Sequence, residues 1–129
     1  MRRFAALGIA TLTVLVALVA AMPASADDGR EVLRTGSCSG ATDWKLKAKH
    51  DDGRIETEFE VDQNRNGERW RVVLKRDGNR FFRGVRVTRG PSGSFEVERR
   101  PRNHAGPDRL SARAVNLRTG EVCRAALTI

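Results

Sequence analysis

Asp62-x-Asn64-x-Asn66-Gly67 sets oxygen-bearing side chains at alternate positions ahead of a glycine, which is how a calcium loop begins. A hard cation needs more charge than one carboxylate and two neutral amides supply. The twelfth position, where such a loop carries a bidentate Glu, is Val73. The stretch is therefore read as a turn rich in Asn and Gly, with no metal assigned. His50 beside Asp51 and Asp52 resembles half of a hydrolytic triad. The hydroxyls that could complete one, Ser92, Ser94 and Ser111, lie in no nucleophile-elbow context, and both cysteines have another use. Glu56, Glu58 and Glu60 alternate as one solvated strand face, whereas glycoside hydrolysis needs two carboxyls flanking a cleft. No catalytic residue and no cofactor is assigned, and the expected role is non-enzymatic.

Arginine is the remaining chemistry. Of 24 basic residues only Lys45, Lys47, Lys49 and Lys75 are lysines. Arg binds phosphate and carboxylate through a planar fork that Lys lacks, although Arg usage also fits the codon composition of a G+C-rich genome. Arg99, Arg100, Arg102, His104 and Arg109 cluster in and beside one long polar loop, the candidate site for an anion or a partner. Such a loop suits a phosphate- or carboxylate-bearing polymer of the cell envelope or an acidic extracellular protein. It contains no aromatic platform, which argues against nucleic acid. The rival expectation is a secreted inhibitor of an extracellular hydrolase, with Gly90–Gly93 and Arg99–Arg109 as its inhibitory loops.

These residues stand in a chain marked for export. Arg2 and Arg3 precede an uncharged stretch from Phe4 to Met22, and Ala24-Ser25-Ala26 offers a cleavage site after Ala26. That is the three-part pattern of a secretory signal peptide. The stretch is also long enough to span a bilayer, but Pro23 and the small-residue site favour cleavage over a retained anchor, leaving no membrane segment. Residues 1–26 hold two arginines and no acid, so cleavage takes the formal charge from +8 to +6. Outside the reducing cytoplasm, Cys38 and Cys123 are expected to pair. The loop they would close is worth about 4 to 5 kcal/mol in the chain-entropy account.

After an expected flexible leader, residues 27–35, the chain from 36 to 129 alternates with a period of two and shows no helical apolar period. Trp44, Leu46 and Ala48 alternate with Lys45, Lys47 and Lys49. Beyond the hairpin signal Asp51-Asp52-Gly53, Ile55, Thr57, Phe59 and Val61 alternate with Arg54, Glu56, Glu58 and Glu60. Antiparallel pairing of the two runs would set lysines against glutamates. Five further strands are expected, led by Trp70-Val72-Leu74, by Phe81-Val85-Val87 on one face, by Phe95-Val97, by Leu110-Ala112-Ala114 and by Cys123-Ala125-Leu127-Ile129. Val115 and Leu117 fall on an outward parity, covered by a loop or marking a surface for another chain. One β-sandwich or small barrel follows.

Two segments resemble immunoglobulin-like domains. In residues 107–129, Asp108 starts a strand with inward Leu110, Ala112 and Ala114, Asn116 precedes the turn at Gly120, and an apolar strand ends the chain. In residues 68–78, Trp70 leads Val72-Val73-Leu74 into a turn at Asp77-Gly78. The resemblance implies an antiparallel sandwich of about seven strands with Trp70 packed between the sheets. Phe59 and Ala112 stand near the usual inter-sheet cysteine positions, so the bond here joins the first strand to the last. Gly36-x-Cys38, Val61-Asp62-x-Asn64-Arg65-x-Gly67 and Thr119-Gly120-Glu121-x-Cys123 also resemble small, basic, secreted proteins of actinobacteria. That likeness implies no particular function.

Overall fold

The computed structural model describes residues 29–129, so the expected signal peptide lies outside the described residues. Eight strands follow one another: β1 (Glu31–Ser37), β2 (Asp43–Asp51), β3 (Arg54–Asp62), β4 (Arg69–Arg76), β5 (Asn79–Val87), β6 (Ser94–Arg99), β7 (Arg109–Asn116) and β8 (Val122–Thr128). They form two four-stranded sheets, ordered β1-β2-β3-β6 and β5-β4-β7-β8, with every pair antiparallel. The sheets pack as a sandwich, and Cys38 is bonded to Cys123.

The period-two pattern dictates the core. Trp70, Phe59, Leu46, Ile55, Leu74, Leu110, Val61 and Val72 are all fully buried between the sheets. Each such side chain contributes about 1.5 to 3 kcal/mol over its exposed state. Trp70 packs on Phe95 across the sandwich with ring centroids 6.3 Å apart, and its Nε1 donates to Gln63 Oε1 at 3.1 Å. Asp-Gly pairs turn two hairpins: Asp52 and Gly53 have φ of 52° and 73°, Asp77 and Gly78 have 48° and 80°. Positive φ at both central residues is what a two-residue turn needs to match the strand twist.

Two expectations change. Most of the flexible leader, residues 27–35, is instead taken up by β1, which pairs with β2 from Glu31↔Lys49 to Ser37↔Asp43. Its inward positions are Val32, Arg34 and Gly36, too polar to show an apolar alternation, so the strand is held by its ladder. In β5 the face is reversed beyond Phe81, which itself still packs against the core. A bulge opposite Leu74 and Lys75 leaves Phe81 unpaired, so Phe82 turns inward while Val85 and Val87 point outward beside Arg71 and Arg69. One extra residue in a strand shifts every later side chain to the other face.

Candidate functional site

The long loop does not gather its cations into one site. Arg99, at the end of β6, lays its guanidinium over the Phe82 ring, 4.4 Å from the centroid, at the edge where the two sheets meet. Arg86 sits 4.9 Å from the same ring. Arg100 pairs with Asp51, and Arg102 is exposed while its backbone carbonyl accepts from Arg76 Nη1. The loop is tied down by Ile55 N–H to Pro101 O at 2.9 Å and Asn103 N–H to Gly53 O at 3.0 Å. His104 lies near Asp77 and Asp108, with one potential ligand atom from each within 4.8 Å of the others. Arg76 Nε stands 3.9 Å from the buried Asp108 carboxylate and already supplies its counter-charge. Arg109 belongs elsewhere, on the outer face of the second sheet.

The other loop is equally fixed. Arg89 and Ser94 exchange backbone hydrogen bonds around Gly90–Gly93, and Gly93 packs on the backbone of Asn64 and Arg65 so closely that no side chain fits. Asp62 Oδ1 accepts from the Asn64 amide at 3.3 Å, closing a side-chain turn within the stretch that opens like a calcium loop. The motif around the disulfide is structural as well. The Glu121 carboxylate accepts from Gly40 N at 2.8 Å, Thr42 N at 3.2 Å and Thr42 Oγ1 at 2.6 Å, latching the β1–β2 connection onto β8 beside the Cys38–Cys123 bond.

The two outer faces differ sharply in charge. On the first sheet, Lys45, Lys47 and Lys49 stand opposite Glu60, Glu58 and Glu56, as the alternation of the two runs requires. Lys47 Nζ reaches Glu58 Oε2 at 2.6 Å, and that bond raises the lysine's pKa. Glu96 and Glu98 of β6 continue the acidic rows opposite Glu60 and Glu58. Partial burial, then the carboxylates of Glu58, Glu60 and Glu98, push the Glu96 pKa up. Altogether Glu31, Asp43, Asp51, Glu56, Glu58, Glu60, Asp62, Glu96 and Glu98 share this face with Lys45, Lys47, Lys49 and Arg54, a formal −5.

The second sheet presents the opposite sign. Its strand residues directed outward include Arg69, Arg71 and Lys75 from β4, Arg80 and Arg83 from β5, Arg109 and Arg113 from β7, and Arg124 from β8. That is eight cations and no carboxylate. All eight are exposed, and none of their side chains pairs with a described acid. Arg113 and Arg124 stand directly opposite each other, as do Lys75 and Arg80. Between them lie Val73, Val85, Val87, Val115 and Val122, with exposed Leu117 at the end of the face, so Val115 and Leu117 do point outward. No aromatic residue points outward from this sheet.

No family model, curated protein or solved structure matches this chain. Of the loop residues that the sequence singled out as a candidate site, only Arg109 reaches the basic face, where Ser111, Val115 and Leu117 also lie. The other cations there were legible only by parity, at alternate positions such as Arg69-x-Arg71 and Arg109-x-x-x-Arg113, and only once strand pairing had brought four separate strands together.

Proposed function

We propose that the chain is an exported, non-enzymatic binding module whose second sheet holds an anionic polymer at the cell envelope. The observation that carries this reading is the outer face with eight cations, no acid and two directly opposed like-charge pairs. Like charges facing each other across a ladder destabilise a sheet. The first sheet also opposes like charges, Glu58 to Glu98, Glu60 to Glu96 and Asp43 to Asp62, but Lys45, Lys47 and Lys49 stand among those acids, whereas the second sheet has no acid of its own to offset the repulsion. An anion spread over the second sheet would remove it.

Export is supported by the signal-peptide pattern at residues 1–26 and by the disulfide, which suits an oxidising compartment. The immunoglobulin-like reading is supported by the strand order, since the chain crosses sheets from β3 to β4 while β6 returns beside β3 and β7 beside β4. The inhibitor reading draws on two loops, and both are tied to the sandwich by backbone hydrogen bonds, at Pro101 and Asn103 in one and at Arg89, Gly93 and Ser94 in the other. That favours a face as the recognition element.

Binding to long-chain inorganic polyphosphate, followed by fluorescence anisotropy across a salt series, tests the proposal. If about six of the eight cations engage, log K should fall with log salt at a slope of about −4 to −5. The triple variant Arg71→Gln, Arg83→Gln, Arg113→Gln should lose most of the affinity and flatten the slope. Arg99→Gln, Arg100→Gln, Arg102→Gln should leave both nearly unchanged. The reverse result would return the site to the loop and overturn the face.

A further inference from the structure

The basic face is not uniform. Ser111 of β7 stands opposite Ala126 of β8 on one side and Lys75 of β4 on the other. Arg109 and Arg113 flank Ser111 two residues away along its own strand, and Arg124, the partner of Arg113, completes the surround. Two small side chains thus floor a depression whose rim is four long cations, with a volume of about 500 Å³. The Ser111 hydroxyl makes no hydrogen bond to a described residue.

We propose that this depression seats one tetrahedral oxyanion, a phosphate or sulfate ester, and is the anchoring point for the polymer. The inference rests on the polyanion reading and names the group recognised. Cross-strand neighbours lie about 5 Å away and same-strand neighbours about 7 Å away, within the reach of an Arg or Lys side chain leaning over Ser111. Donors therefore approach from three directions around the rim, and the hydroxyl approaches from the floor. A carboxylate offers two oxygens in one plane, which a single guanidinium fork already satisfies. A phosphate monoester, a terminal phosphate or a sulfate ester offers three free oxygens spread in space, which is what separate rim cations plus a floor hydroxyl can contact together. Holding Arg113 directly against Arg124 costs folding energy, and a bound oxyanion offsets it.

The test is a two-dimensional amide NMR titration of the protein with sodium phosphate, sodium sulfate and sodium acetate at matched ionic strength. Phosphate and sulfate should shift the amides of Ser111 to Arg113 and Arg124 to Ala126 saturably, and acetate should not. Whichever of the two binds more tightly identifies the ester. Ala126→Glu, which sets a carboxylate over the floor from an exposed position, should weaken that binding by about tenfold or more, the effect of roughly 1.4 kcal/mol. Arg102→Gln, at an exposed loop position off this face, should leave it intact. Should Ala126→Glu fail to give a dispersed spectrum, Ser111→Ala serves instead, with a severalfold loss expected. Equal shifts from all three anions, or shifts spread over the whole face, sink the seat. So does polyphosphate binding that is unchanged in a folded Ala126→Glu protein, an outcome that leaves the face itself standing. Failure of the Arg71, Arg83, Arg113 variant to lose polyphosphate marks failure of the face instead.

Discussion

Glu68 shows how one side chain can fasten a sandwich end. It is buried at the start of β4, where its carboxylate accepts Arg118 Nε and Nη2 at 2.9 and 2.6 Å on Oε1 and Asn116 Nδ2 at 3.3 Å on Oε2. Asn116 Oδ1 in turn accepts the amides of Arg118 and Thr119, closing the β7–β8 turn. The Arg118 hydrogen bonds, then that of Asn116, hold the Glu68 pKa below its ordinary 4.5. A carboxylate with a depressed folded pKa adds stability above its unfolded value, and that stability is lost as pH falls through the folded value. Glu68→Gln should therefore be less stable than wild type in urea melts near neutrality. The gap should close as the pH is lowered through and below 4.5. A gap of constant size across that range would mean that the carboxylate's charge plays no part.

Strand pairing decides what a sequence of alternating residues becomes. The β2–β3 hairpin was legible because its apolar and charged residues alternate without a break around an Asp-Gly turn, and the register Lys47↔Glu58 follows from that turn. The number of strands was not, because β1 is polar at an inward position, Arg34, and its ladder partner β2 is what makes it a strand. Val85 and Val87 were misplaced because a bulge leaves no compositional mark when two phenylalanines adjoin and both pack against the core. The basic face escaped notice because its cations come from four strands far apart in sequence, while the loop's cations are contiguous. Pairing also yields a test at this scale. Arg124→Glu would replace a like-charge pair with Arg113 by an opposite-charge pair, worth about 0.2 to 1 kcal/mol of added stability. The same change should weaken polyphosphate binding markedly, by adding an acid to a face that has none. Denaturant melts and anisotropy on the one variant check both signs. A variant that became more stable and bound equally well would leave the Arg113–Arg124 opposition without a functional reason.

At the scale of the whole molecule, the proposed binding face and the covalent cross-link occupy different parts of the sandwich. The two outer faces carry formal charges of opposite sign, so a polyanion should approach the second sheet and be repelled by the first. The Cys38–Cys123 bond lies where β1 meets β8, with Cys123 fully buried between the sheets and directed away from the cationic face. The bond spans 85 residues and so constrains most of the unfolded chain, whereas the Glu121 latch acts only on the folded one. Replacing both cysteines by Ala should cost about 2 to 5 kcal/mol, read as a lowered urea midpoint. Because Glu121 still holds Gly40 and Thr42, and the ladders are untouched, the β-sheet circular dichroism should persist without denaturant. The folded fraction of that variant should bind polyphosphate with the wild-type salt slope, since no cation of the face has moved. A steep loss of affinity in a fully folded double variant would instead place the disulfide within the binding function, and the separation of the two roles would fail.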